Sequence, residues 1–215
     1  MISSVSSTPA PPQATVVAAF DFDGTISTGD SLQYFLRGVL GWPRYLLALL
    51  LASPWLLACA LHLTDRHHAK QRLLQVSLGG TEIERAERWA ATFATEVLPT
   101  LLRPEMLARF AWHQAQGHRT VLVSASPSLY LKPWAERMGF DAALCTELER
   151  ADGRYTGRLA SCNCWGPEKV RRLEAWWGAS TPTRLYAYGD SRGDAEMLAR
   201  ADVAWFRGVE QASRV

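Results

Sequence analysis

The chain lacks a charge bias: across 215 residues the formal balance is only +2. A surface this close to neutral has no bulk positive field to hold nucleic acid, so that class of partner is set aside. Cysteine is scarce as well. The four present, Cys59, Cys145, Cys162 and Cys164, do not make a disulfide framework for a chain of this size. The pair in Cys162-Asn163-Cys164 lacks the second pair that a structural zinc site needs. Reduced thiols are therefore expected. The first fifteen residues, MISSVSSTPAPPQAT, lack the basic start and the apolar centre of a secretory signal. Their Ser, Pro and Thr content predicts a flexible tail over 1–15. The folded part is then expected to stay on the cytoplasmic side of the membrane, where it was made.

What remains is enough for one domain carrying an insertion. Residues 16–22 are a short apolar, β-branched run closed by acid and glycine, which predicts a buried strand with a functional carboxyl end. Residues 31–100 look helical throughout, with breaks at 41–43, 53–54 and 79–80, where Gly and Pro cluster. Beyond them helices are expected over 104–116, 129–138, 168–177 and 194–200. Strands are expected over 120–123, 142–146, 185–188 and 203–206. Residues 147–160 alternate around Asp152-Gly153, a hairpin signal. The alternation predicts an α/β fold with a Rossmann-like parallel sheet. Its core would comprise 16–30 and 101–215, with 31–100 inserted as a helical cap between the first two strands.

In such sheets ligands bind beyond the carboxyl ends of the strands. Asp21 and Asp23, then Ser124, then Asp190 fall at those ends, so residues far apart in sequence converge on one edge. Two aspartates two apart on one strand repel each other. They are reasonable only if something positive or phosphate-like belongs between them. Thr25, Lys169 and Asp194 complete the polar set.

In order along the chain stand "DFDGT", "VLVSAS", Lys169 in "GPEKV" and "YGDSRGD". These four stretches resemble the four motifs of the haloacid dehalogenase superfamily of phosphohydrolases, over nearly the whole chain after the tail. The resemblance implies that Asp21 attacks phosphorus to form an aspartyl-phosphate. It implies that Asp23 protonates the leaving alkoxide and later takes a proton from water. A raised Asp23 pKa, from a nearby carboxylate and partial desolvation, would suit that work. Asp21, Asp190 and the backbone carbonyl of Asp23 are oxygen ligands suited to Mg²⁺. Thr25, Ser124 and Lys169 would bind the phosphate. Asp194 would hold Lys169 or a metal-bound water, or simply begin the last helix. The acid at Asp23 separates this pattern from dehalogenases and P-type ATPases.

The cap selects the leaving group. Residues 45–61 carry no charge. One helix of that length would be roughly 25 Å long, close to a bilayer core. Pro54 is expected to break it, giving an apolar two-helix hairpin over 39–63 that packs in the cap or dips into a membrane surface. Arg37, Arg44, Arg66, Lys70 and Arg72 flank it, a basic collar suited to an anionic lipid surface. The placement of the cap resembles subfamily IB, which includes the phosphoserine phosphatases. The apolar cap and "CWGPEKVRRLE" are similar to C-type phosphatidylglycerophosphate phosphatases. This implies a lipid-linked phosphomonoester as substrate, with a soluble small metabolite as the rival. Asp30, nine residues after Asp21, has the spacing of the acid that reads the substrate amine in phosphoserine phosphatases. It is equally placed to cap the first cap helix. Those enzymes carry Asn where Gly193 stands here, which puts phosphoserine itself in doubt.

Overall fold

The computed structural model describes residues 15–212. The tail expected over 1–15 lies outside the described residues except for Thr15. Six strands form one sheet in the order β3-β2-β1-β6-β7-β8. They are β1 (Val16–Phe20), β2 (Arg119–Pro127), β3 (Ala142–Thr146), β6 (Arg184–Gly189), β7 (Val203–Phe206) and β8 (Val209–Glu210). The first five run parallel and β8 is antiparallel to β7. Because β1 is central, with β2 on one side and β6 on the other, the chain reverses its winding there. That crevice is where such sheets bind ligands.

The alternation of residues along β1 divides the core. Ala18 and Phe20 share one face with Leu122 and Tyr188, under Met106 and Phe110 of α5 (Pro104–Ala115) and Tyr130 and Trp134 of α6 (Ser128–Met138). Val17 and Ala19 share the other with Val121, Val123, Leu185 and Ala187. That face is covered by Leu173 and Trp177 of α7 (Pro167–Trp177) and Met197 of α8 (Ala195–Arg200). Burial on both faces explains why these strands read as continuous apolar runs.

Between β1 and β2 lie four helices: α1 (Ser31–Leu40), α2 (Trp42–Ala60), α3 (Arg66–Leu78) and α4 (Ile83–Thr92). The expected break at Pro54 does not occur. Residues 42–60 form one helix of 19 residues, about 28 Å long. Proline removes the N–H that would reach the carbonyl four residues back. Here that carbonyl, Leu50 O, accepts instead from the Ser53 hydroxyl at 2.7 Å. The helical hairpin is thus α2 with α3, not two halves of 39–63. Only a narrow stripe of α2, Tyr45, Ala48 and Ala52, is buried. Leu46, Leu47, Leu50, Leu51 and Leu57 are each more than half exposed. It is the one helix among the described residues long and apolar enough to cross a membrane.

The predicted hairpin is β4 (Leu148–Ala151) with β5 (Arg154–Leu159). Its turn residues Asp152 and Gly153 both have positive φ, 49° and 71°, as a tight Asp-Gly turn requires. It forms its own two-stranded sheet rather than extending the main one. Gly157 lies so close to α3 that a Cβ would fall 2.4 Å from Gln75 Cα. The hairpin therefore braces the second helix of the insertion.

Under the sheet, the fully buried His113 has its Nε2 2.7 Å from the Tyr188 hydroxyl and its Nδ1 2.8 Å from His118 Nδ1. Burial first, then the neighbouring His118 and Arg109 charges, push His113 down to about 4. The folded protein therefore holds this ring neutral where the unfolded chain, titrating near 6.5, takes up a proton. The unfolded state binds more protons between those values, so stability rises with pH there. We expect the urea midpoint to be full above about pH 6.5 and to fall as pH drops toward 4, by on the order of 3 kcal/mol from this group. His113→Phe should flatten that segment of the curve, measured by tryptophan fluorescence.

Candidate active site

Four loops at the carboxyl edge of the sheet meet at Asp21. It follows β1, still tied to β6 by its N–H to Tyr188 O at 2.9 Å. The expected strand over 16–22 ends at Phe20 because the chain then turns through Gly24, at φ +81°. A Cβ there would sit 2.2 Å from Asp190 Oδ2, so the position needs glycine for both its angle and its space.

Lys169 enters from the first turn of α7. Its Nζ donates to Asp21 Oδ1 at 2.5 Å and to Asp194 Oδ1 at 2.6 Å, and all three side chains are almost wholly buried. Burial alone would lower the lysine pKa. The Asp21 and Asp194 carboxylates outweigh it and hold Lys169 above the usual lysine range. Burial raises Asp21 to about 7 against the opposing pull of Lys169. The other Asp194 oxygen, Oδ2, accepts from the N–H groups of Asp190 and Ser191 at 3.2 and 3.0 Å and from the Ser191 hydroxyl at 2.9 Å. Asp194 therefore holds Lys169 and ties the loop after β6. It does not begin α8 through its side chain, since the capping box of this turn starts at Ser191.

Asp23 turns away from this cluster. Its Oδ1 accepts from Ser31 N–H at 2.6 Å and its Oδ2 from the Ser126 hydroxyl at 2.5 Å. Burial first, and then the Asp30 charge, raise its pKa against these hydrogen bonds. Ser124 is buried, and its Oγ accepts from Ser126 N–H at 3.0 Å. Asp30 caps α1, accepting from Leu32 N–H and Gln33 N–H at 3.0 and 3.4 Å, while also lining the cleft. Thr25 is separate: its buried hydroxyl has no partner, and it lines the adjoining cavity beside Arg103 and Arg207 rather than the cleft.

One oxygen each of Asp21, Asp190 and Asp194 lies within 4.8 Å of the others. Both Asp194 oxygens are committed, which leaves Asp21 and Asp190 as carboxylate donors. Asp190 Oδ1 is buried without a partner, the state in which a carboxylate oxygen is costly unless a cation meets it. An oxygen-rich donor set of this kind fits Mg²⁺.

Sequence reasoning missed Ser31, Ser126 and Trp165 at the site; Lys70, expected in the basic collar of the hairpin, instead lines the cleft and donates to Ala125 O. Ser126 had a signal: it stands two residues after Ser124, on the same face of an extended run. Trp165 explains the departure at Gly193. A Cβ on Gly193 would fall 2.3 Å from the Trp165 indole nitrogen, so the tryptophan fills the space in which a side chain at 193 would lie.

Residues 18–199 match the family model of haloacid dehalogenase-like hydrolases. The chain belongs to that family, and with this site it is a phosphatase. Protein CicA of Caulobacter vibrioides is 38% identical over 195 residues, covering 89% of this chain and 86% of its own. A probable phosphatase of Mycobacterium tuberculosis is 29% identical, covering 87% and 67%. Among solved structures, a Bordetella pertussis protein of unknown function superposes with a TM-score of 0.77 at 24% identity, covering 89% of each chain. A phospho-aspartyl intermediate analogue of phosphoserine phosphatase gives 0.65 at 15% identity, covering 89% and 86%. These two establish the shared fold.

The contact at Gly193 is testable. Gly193→Ala should cost about 1–3 kcal/mol by overpacking against the indole. Trp165→Ala should relieve most of it, giving a favourable coupling in a double-mutant cycle of urea melts.

Proposed function

We propose that this chain is a Mg²⁺-dependent phosphomonoester hydrolase that removes a terminal phosphate from a phospholipid head group, phosphatidylglycerophosphate first, at the cytoplasmic face of the membrane. The observation that carries the lipid reading is the double role of α2. Leu56 and Cys59 line the catalytic cleft, while the same helix exposes Leu46, Leu50 and Leu57. An exposed apolar patch of this extent marks an interaction surface. Arg37 over Trp42 and Arg72 over Trp55, at 4.2 and 4.8 Å, put cations beside aromatic rings, a pairing suited to the headgroup level of an anionic bilayer.

The chemistry follows from the placement of the two acids. The Asp21 carboxylate attacks phosphorus, and the P–O bond to the leaving group breaks as an acyl phosphate forms. Asp23, held by Ser31 and Ser126 and raised by burial, gives its proton to the leaving alkoxide. Water then attacks the aspartyl-phosphate, passing a proton back to Asp23 and releasing inorganic phosphate and free Asp21. Lys169 stays cationic and balances charge at the nucleophile, while Ser124 offers its hydroxyl to a phosphate oxygen. Asp21, Asp190 and the backbone carbonyl of Asp23 would hold Mg²⁺, which when bound neutralises the charge of the phosphate.

A soluble small-metabolite phosphatase is the second reading. Asp30 favours it, since this carboxylate lines the cleft and is of the charge that pairs with a substrate amine.

Purified protein with Mg²⁺ should release phosphate from phosphatidylglycerophosphate in mixed micelles at least about a hundredfold faster than from soluble monoesters, a difference of ~2.7 kcal/mol. Asp21→Asn or chelation should abolish the release. A preference for soluble esters would overturn the lipid reading and leave the phosphatase intact. The triple change Leu46→Ser, Leu50→Ser, Leu57→Ser should lower partitioning onto anionic vesicles about tenfold or more in a flotation assay, with circular dichroism unchanged. Each leucine contributes roughly 1–2 kcal/mol of transfer when buried.

A further inference from the structure

The cleft of about 510 Å³ has a second cation that the hydrolysis does not use. Lys70, on α3, sends its ammonium across to β2, where it donates to Ala125 O, and it also donates to Asn163 Oδ1 at 3.3 Å. Both partners are neutral. An ammonium carries three donors, and among the described residues no carboxylate stands within ion-pair distance of this one. Burial pulls its pKa down to about 8, against the raising influence of the Asp23 and Asp30 charges. A half-buried cation with only neutral hydrogen-bond partners is held at a cost. It is reasonable where an arriving anion completes it.

The position of Lys70 says which anion. The carboxylates acting on Lys169 are Asp21 and Asp194, so Lys169 serves the nucleophile. Lys70 donates to Ala125 O, and the next residue, Ser126, donates its hydroxyl to Asp23 Oδ2, so Lys70 stands on the side of the acid that protonates the leaving group. Arg66, one helical turn before Lys70, also lines the cleft. It has a ring contact, at 5.5 Å from Trp165, but among the described residues it has no carboxylate partner. Apolar Leu56 and Leu73 line the same cleft.

From these contacts we infer that Lys70, with Arg66, forms an anion subsite for a second negative group on the leaving group, separate from the phosphate that is cleaved. The preferred substrate is then a phosphomonoester whose alcohol carries a phosphodiester or carboxylate, with a less polar part against Leu56 and Leu73. This rests on the phosphatase reading but not on the lipid, since the second anion can belong to a lipid head group or to a free metabolite.

The test uses the full chain with three water-soluble substrates. The deacylated head group, glycerophosphoglycerophosphate, carries a phosphodiester; 3-phosphoglycerate carries a carboxylate; p-nitrophenyl phosphate carries neither. Lys70→Gln should lower kcat/KM for the better of the two probes with a second anionic group at least tenfold relative to p-nitrophenyl phosphate, mainly through KM, and Lys70→Arg should recover part of that ratio. Arg66→Gln, at an exposed position, should shift the ratio the same way by a smaller factor. Which of these two probes loses more identifies the source of the second anion. A ratio that stays within twofold in both Gln variants, whether overall activity falls or not, would make Lys70 a structural residue and overturn the inference. A wild type indifferent to micellar lipid that still shows the ratio change would remove the lipid reading and keep the subsite.

Discussion

Everything at this site hangs on one buried ammonium. Lys169 is held between Asp21 and Asp194, and none of the three has appreciable water around it. Removing three charges from solvent costs several kcal/mol per ion, which close pairing offsets only when geometry and further hydrogen bonds are complete. Here they are nearly complete. Asp194 is saturated by Lys169 and by the loop after β6, and Lys169 spans from α7 to β1. The triad thus fixes three elements that are distant in sequence into one register. The charge left over, on Asp21 and on the unpartnered oxygen of Asp190, faces the place where phosphate and cation belong. A site assembled this way is ordered before substrate arrives, which is the condition for electrostatic stabilisation at no further reorganisation cost.

Much of this arrangement is legible in the sequence. The strands of the sheet announce themselves as apolar runs because both faces are buried, and their polar ends fall on one edge by topology alone. Asp21, Asp23, Ser124, Lys169 and Asp190 were placed by that logic together with the order of the motifs. Two things were not legible. Side-chain partners set by tertiary contact leave no local trace, so Ser31 N–H as a ligand of Asp23 and Lys70 as a wall of the cleft were invisible. Thr25, expected from its place in the motif as a phosphate ligand, lines the neighbouring cavity, with its hydroxyl buried and unpartnered. Local rules also lost to context at Pro54. A mid-helix proline predicts a break, but Ser53 satisfies the carbonyl that proline abandons, and the helix runs on.

That uninterrupted helix changes what the insertion can be. Two short helices could have buried their apolar sides against each other. A single helix buried at Tyr45, Ala48 and Ala52, with Leu49 partly packed on the core, leaves the side carrying Leu46, Leu47, Leu50, Leu51 and Leu57 uncovered. The same helix contributes to the catalytic cleft, so whatever the outer face meets is joined by one rigid element to the mouth of the site. The β4–β5 hairpin braces α3 from the other side through the close approach at Gly157. The α2–α3 pair is therefore supported by the core at one flank and unsupported at the other.

Charge placement within the cleft separates two tasks that a single basic patch would confuse. Lys169 is paired with the carboxylates at the nucleophile, while Lys70 is held by the neutral oxygens of Ala125 and Asn163. Trp165 belongs to the second arrangement. By occupying the space beside Gly193, it presents an aromatic ring flanked by Arg66 and Arg192, at 5.5 and 5.9 Å from their guanidinium carbons. The departure at residue 193 is thus part of a remodelled wall rather than a lost hydrogen bond. That wall carries cations and an aromatic ring, with the apolar side chains of Leu56 and Leu73 lining the same cleft, which is the ground for the proposed leaving group that is anionic at one place and apolar at another. A compact amino acid ester would meet the cations and Asp30 but would leave Leu56 and Leu73 unfilled, so the walls and Asp30 pull the proposed substrate in different directions.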